Sequence, residues 1–492
     1  MKKFIFPLLL GIIFALSAVV RVHPIFTNSF AFTYDVGRDM LNVAQIVNQH
    51  KIPLIGPTTG LPGLFYGPWW YYFLVPAFFL GEGNPQAIAL FMSFIGLGTM
   101  LVVYLLGKYV KDDILGIFFS GLVGFSAVPI FLSIQIWNPN MAQLFISLVL
   151  LTVVNIKKRL LSMWEYFSLG LLLGLTIDSE VVFGLLFLSG IIVASVFLLR
   201  KRIQKKGMLY SLLGILVIFS PRILFEIRHR FVMTTHIFQM LGNGSDGGSL
   251  SLPTLLSQRI WFFWDTWNWS FGHIVPLSIV ALCAVFVYVS LTIKNKEQTL
   301  SAFLSQFLLI VSIVFFVGLL FFKHDIFSHY VVALPVYFLL LAGMSIYSLA
   351  SKYVKPTITT CFMMLFLLVL MNPIPAWADI FGPKWVGDPS VYRNQLNVID
   401  YVYQESQGKE FKYVTYTPAV IDYPYQYLFA WYGPKKYHYG PTRQAKLMFF
   451  ILEPNTQFPD LRVKWLSERS RDGKVIKETT LPGGITVQTR VQ

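Results

Sequence analysis

The segment "FTYDVGRDMLNVAQIV" (residues 32–47) comes just after the first long apolar run of the chain and places Asp35, Arg38 and Asp39 within five residues. Val36, Met40, Val43 and Val47 recur at helical spacing, which predicts an amphipathic helix over residues 36–48. Asp35, Asp39 and Asn42 then fall together on the opposite face, with Arg38 beside them. One reading is purely structural: Asp35 caps the helix and Asp39 pairs with the arginine. The other reading rests on the adjoining loop. "PLIGPTTGLPGLFYGP" (53–68) has too many glycines and prolines for a regular element, and conspicuous irregular loops tend to bind something.

Composition sets the surroundings of this segment. The 492 residues are 55% hydrophobic, 16% aromatic and only 13% charged, with a mean hydropathy of +0.62. A soluble domain carries roughly 25% charged residues, so this is a polytopic α-helical membrane protein. Both cysteines, Cys283 and Cys361, lie in long apolar runs, which excludes a disulfide framework or a cysteine-based metal site. The net charge of +15 does not indicate nucleic acid, because the distribution of the basic residues has a better explanation.

A helix needs about 20 mainly apolar residues to cross a bilayer. There are about 11 candidates, near residues 4–20, 86–107, 114–136, 139–156, 163–177, 181–199, 207–221, 270–293, 299–322, 330–351 and 356–378. With the N-terminus cytoplasmic, 16 of the 39 basic residues fall in cytoplasmic segments, 8 in outer loops (Arg21 and Arg38 among them) and 15 beyond residue 378. That is the bias of the positive-inside rule. The protein is thus expected in the cytoplasmic membrane with its tail outside. The count requires "YGPWWYYFLVPAFFL" (66–80) to lie at the outer interface, where Trp and Tyr favour the headgroup level; a short spanning helix is the alternative. The first run also fits a cleaved signal peptide, which leaves the later topology unchanged.

Residues 1–378 thus form a transmembrane domain with outer loops at 21–85 and 222–269, and residues 379–492 form a small extracytoplasmic α+β domain. The tail shows a helix near 390–406, strand-like runs at 412–417 and 446–452, and a Gly-Gly turn before "ITVQTRV".

The order of parts in the first loop, an acidic motif, an amphipathic helix, a Gly/Pro turn and "GPWWYYFLVPAFFLG", resembles the GT-C glycosyltransferases. It is most similar to the family 39 group of protein O-mannosyltransferase-like and aminoarabinose-transferase-like bacterial enzymes. The likeness is strong over the first loop, moderate for the helix layout to residue 378 and loose for the tail. It implies an inverting transfer of a sugar from a polyprenyl-phosphate carrier to a protein, lipid or glycan acceptor at the outer face. Asp35 aligns with the first acid of the family motif and is the expected general base. Many relatives have adjacent acids; here Val36 follows, and Asp39, one turn on, either replaces the second acid or orients Arg38. Aminoarabinose-type enzymes place a lysine in the aromatic segment where Tyr66-Gly67 stand. The leaving phosphate then needs other cations: Arg38, Arg222, Arg228 and Arg230, with Arg259 behind them, unless that basic cluster only meets lipid headgroups.

Further substrate contacts are expected at outer helix ends. Asn138 and Asn140 of "WNPN" either bind sugar hydroxyls or cap the next helix. Asp178 and Glu180 sit in a helical hairpin with no basic neighbour in sequence, and acids near membrane depth are functional candidates. "KHDIFSHY" (323–330) offers His324, His329 and Tyr330; His and Asp types there suit either substrate or a divalent metal. Tyr66 completes the set. The competing class, a lipid-linked sugar flippase or transporter of envelope precursors, would place charges in mid-span, whereas nearly all of them sit at span ends.

Overall fold

The computed structural model describes residues 2–59, 63–242, 251–322, 326–371 and 387–492. Each apolar segment is helical. Helix α1 (Lys2–Phe26) leads to α2 (Tyr34–Gln49) and α3 (Trp69–Leu80). The bundle continues through α4 (Pro85–Val110), α5 (Asp113–Phe125), α6 (Ala127–Ile134), α7 (Ala142–Lys158), α8 (Met163–Ser179), α9 (Val181–Leu199) and α10 (Lys205–Arg228). It closes with α11 (Val232–Gly242), α12 (Leu252–Ser270), α13 (Val275–Lys294), α14 (Leu300–Phe321), α15 (Leu334–Tyr353) and α16 (Pro356–Met371). Among the described residues, eight helices are long and apolar enough to cross a membrane, and α5 with α6 makes a ninth candidate bent by 62°. Helices α8 and α16, with 17 and 16 residues, fall just below that length. This is a multi-pass helical membrane protein with a small sheet at its C-terminus.

Two boundaries differ from the sequence reading. Arg21, placed in the first loop, lies inside α1 and is fully buried. The described residues of 222–269 are mostly helical and not a loop: α10 runs on to Arg228, and α11 and α12 come after it. The helix read as ending near residue 221 continues past Pro221, where Ser220 Oγ donates 2.8 Å to the Val217 carbonyl, the group a proline leaves without its i+4 donor. Helix α3 has 12 residues, about 18 Å at 1.5 Å per residue, too short to span.

The C-terminal part holds α17 (Tyr392–Ser406), β1 (Phe411–Tyr416), α18 (Tyr423–Tyr437), β2 (Leu447–Leu452), α19 (Pro459–Glu468), β3 (Lys474–Leu481) and β4 (Ile485–Val491). The sheet order is β1-β2-β4-β3, with β1 and β2 parallel around α18 and the other pairs antiparallel. Side chains alternate along β2: Phe449 and Ile451 face the core shared with α17 and α18, while Met448, Phe450 and Leu452 face Trp465 and Leu466 of α19.

This sheet layer shares one apolar core with α2 and α3. Backbone bonds stitch it to the first loop, Phe32 N–H donating to Ser390 O at 2.7 Å and Tyr392 N–H to Phe30 O at 3.0 Å. Trp431 Nε1 donates to Glu82 O at 2.7 Å, which ties α18 to the turn between α3 and α4. Where α18 begins, a Cβ added at Gly37 would overlap the backbone of Tyr423 and Pro424.

That contact sets the sign of a mutational effect. An alanine in place of glycine normally stabilises a helix by about 1 kcal/mol, but Gly37→Ala should destabilise by about 1–3 kcal/mol because α18 must move. The thermal midpoint in detergent reads this out, and a raised midpoint would mean that the two helices are not in contact.

Candidate active site

Helix α2 starts at Tyr34 after Thr33, which makes no side-chain cap bond, so Asp35 is a first-turn residue and not the cap. A first-turn acid still gains from the helix dipole. Asp35, Asp39 and Asn42 do lie on one side of the helix, but α3 covers Asp39 there. Asp39 is 1% exposed, whereas the Asp35 side chain is 38% exposed. Arg38 lies between them, Nη1 at 2.8 Å from Asp35 Oδ1 and Nη2 at 2.9 Å from Asp39 Oδ1. Trp70 Nε1 donates to the second Asp39 oxygen at 2.7 Å. Burial lifts the Asp39 carboxyl to about 6, opposed by Arg38 and the Trp70 bond. Burial lowers the Arg38 guanidinium, yet the two carboxylates outweigh it and hold the group above its ordinary value.

A second buried pair lies within electrostatic reach of Asp35. Tyr66 Oη donates to Glu180 Oε2 at 2.6 Å, and the Asp35 carboxylate acts on both Tyr66 and His329. Glu180, 1% exposed, is the cap of α9 and accepts from Val182 N–H. Burial raises its carboxyl to about 7, with the Tyr66 and Val182 bonds pulling it down. His329 and Tyr330 come from the short 3-10 turn Ser328–Val331. The His329 ring stands 5.4 Å from Trp137 and 4.5 Å from Tyr330.

Asp178 gains the basic partner that its sequence neighbourhood lacks. Arg222 Nη2 sits 2.8 Å from its Oδ1, and the backbone N–H groups of Gly67 and Trp69 donate to the carboxylate. Those amides are the unsatisfied donors at the start of α3, so Asp178 caps α3 from another helix. Gly67 is required there, since a Cβ would overlap the Asp178 carboxylate. The ion pair is close in distance but not aligned as a hydrogen bond, and Arg222 Nε and Nη2 have no hydrogen-bond partner among the described residues.

The structure therefore brings together Asp35, Arg38, Asp39, Tyr66, Glu180, His329 and Tyr330, with Arg222 attached through Asp178. The other candidates serve structure or stand apart, although Asn138 lies beside Trp70 and Asp178. Asn138 Nδ2 donates to Ser179 O at 2.7 Å and Asn140 Nδ2 to Gln135 O at 2.9 Å, so both amides hold backbone turns. Arg259 is 4% exposed and donates to Phe322 O at 2.9 Å, at the end of α14. Arg228 and Arg230 are exposed, and none of the described hydrogen bonds or ion pairs ties them to the cluster. His324 falls outside the described residues. Among the described residues no three His, Cys, Asp or Glu side chains are grouped to hold a metal ion.

The sequence reading placed Trp70 in the aromatic interfacial segment and missed its bond to Asp39. The Asp178–Arg222 pair had a signal: an acid at membrane depth needs a cation, and Arg222 is the first basic residue of the outer end of α10.

Neither a protein-family model nor a curated protein sequence matches the chain. Solved structures do. ArnT from Cupriavidus metallidurans bound to undecaprenyl phosphate superposes with a TM-score of 0.57 at 11% identity, covering 100% of this chain and 98% of that one. The archaeal oligosaccharyltransferase AglB from Archaeoglobus fulgidus, in complex with an inhibitory peptide and a dolichol-phosphate, gives 0.51 at 14% identity over 90% of this chain and 62% of its own. The chain has the GT-C fold that its first loop led us to expect.

Glu180 makes stability depend on pH. Its folded value near 7 exceeds the ordinary 4.5, so the folded state holds the extra proton. Its contribution is complete below about pH 4.5 and is lost as pH rises through 7. The unfolding midpoint should fall between pH 5 and 7.5, and Glu180→Gln should remove up to ~3 kcal/mol of that slope. Thermal scans of both proteins across pH test this; identical slopes would show that Glu180 titrates normally.

Proposed function

We propose that the protein is an inverting glycosyltransferase that moves a sugar from a polyprenyl-phosphate carrier to an acceptor hydroxyl at the extracytoplasmic face of the cytoplasmic membrane. One observation carries this reading: Asp35, the accessible acid of α2, is fixed at 2.8 Å by an arginine that the buried Asp39 holds from behind. The fold supports it, because the ArnT structure contains undecaprenyl phosphate and the AglB structure a dolichol-phosphate. With the N-terminus cytoplasmic, the first loop and the C-terminal sheet lie outside.

Asp35 takes the acceptor proton as the acceptor oxygen attacks the anomeric carbon. The bond from that carbon to the phosphate oxygen breaks on the opposite face, and the lipid phosphate leaves as an anion. Arg38 is already shared by two carboxylates, so its task is to orient Asp35. Arg222, buried and with unfilled donors, is the best-placed cation for the phosphate, where preorganised charge counts most. Glu180 with Tyr66, and His329 with Tyr330, line the sugar. An apolar cavity of about 350 Å³ between α12, α13, α14 and α15, walled by Phe263, Trp267, Phe286 and Phe338, suits the prenyl chain.

The test uses purified protein in lipid, a panel of radiolabelled undecaprenyl-phosphate sugars and a membrane extract as acceptor. One donor should be consumed, and Asp35→Asn should reduce transfer about 10²-fold or more with folding retained. Arg222→Ala should raise the donor KM. A mild Asp35→Asn beside a severe Asp39→Asn would move the base to Asp39. Binding of a lipid-linked sugar without consumption of any donor would replace the transferase with a flippase.

A further inference from the structure

Past Arg38 the open edge of α2 continues as Asn42, Gln45 and Gln49, which with Asp35 form one stripe along the helix. At its far end the chain turns back through His50, whose left-handed conformation closes the helix. Between the helix and the returning chain lies a cavity of about 240 Å³ lined by Asn42, Gln45, Ile46, Lys51, Ile52 and Pro53. That is below the ~300–1,000 Å³ of pockets for drug-sized molecules, a space for one small ring.

The walls are held in place. Tyr72 Oη of α3 donates to Pro53 O at 2.7 Å, Lys51 Nζ to Gln45 Oε1 at 2.9 Å and Asn42 Nδ2 to Arg38 O at 2.9 Å. These bonds leave Asn42 Oδ1, the Gln45 amide N–H groups and two Lys51 N–H groups available to a ligand. Donors and acceptors side by side match vicinal hydroxyls. Ile46, Pro53 and the 80% exposed Ile52 offer an apolar strip for the C–H face of a sugar ring.

We infer that this cavity is a distal acceptor subsite, so that the acceptor is a saccharide chain laid along α2 and not an isolated amino-acid hydroxyl. The inference rests on the transferase reading. Asn42 and Gln45 stand about 10 and 15 Å along the helix from Asp35, the span of a short oligosaccharide whose near end reacts.

The experiment takes the full-length protein in lipid with the donor identified from the panel and the membrane extract as acceptor. Donor loss to water is measured separately from transfer. Asn42→Ala, Gln45→Ala and the fully surface change Ile52→Asp should each raise the acceptor KM about tenfold, while the donor KM holds. Periodate treatment of the extract, which cleaves vicinal diols, should abolish its acceptor capacity, and protease digestion should not. An unchanged acceptor KM in all three variants, or loss of acceptor capacity on protease digestion with periodate harmless, overturns the subsite. If the unaltered protein consumes no donor even with water, the transferase reading itself has failed, a different result from either.

Discussion

Asp39 is a carboxylate removed from water, with one oxygen on Arg38 and the other on Trp70. A buried charge is tolerable only when it is paired and hydrogen-bonded, so these two partners are not optional. Their geometry joins α2 to α3 and leaves Arg38 with one face for Asp35. The orientation of the accessible acid is thus set by an acid that does not itself face solvent.

Helix α3 is the common support. It is too short to cross a bilayer, and its N-terminal amides would be orphans without Asp178. Trp69 Nε1 reaches Ile218 O on α10 at 2.7 Å, Trp70 reaches α2, and Tyr66 just before it reaches Glu180. Residues 66–70 thus gather α2, the α8–α9 hairpin and α10, three parts of the chain remote from one another in sequence. The C-terminal sheet adds a lid on the other side of α2, where Tyr423 packs 4.9 Å from Tyr34 and Gly37 permits the approach.

Apolar run length made the bundle legible, and Gly-Gly before an alternating run located β4. The helix of α2 could be read from its 3.6-residue period; its second buried side could not, because α3 and α18 supply it from 31 and nearly 390 residues away. Helix α18, "YPYQYLFAWYGPKKY", has apolar and aromatic residues all round, so no period marks it as a helix. The same logic separates the site residues. Asp35 and Arg38 carry a local signal, i to i+3 on one helix. Asp178 with Arg222, and Tyr66 with Glu180, are pairs made by the fold: the sequence marks these residues one at a time, and only the packing joins them.

Arg21 shows how far the bundle depends on such remote satisfaction. It is fully buried in α1, and its guanidinium donates to the carbonyls of Ser17, Val123 and Gly124 at 3.0–3.2 Å. The last two belong to the final turn of α5, where carbonyls lack intrahelical partners and the helix dipole is negative. Pro129 has no N–H for the Phe125 carbonyl, so the chain breaks at Ser126 and bends by 62°. Ser126 Oγ then bonds Ser270 O at 2.7 Å, at the end of α12. Arginine, proline and serine together hold a broken helix at a fixed angle inside a medium that would leave its carbonyls unsatisfied. A helix running straight through residues 113–134 would need none of the three, and it would carry Trp137 away from His329.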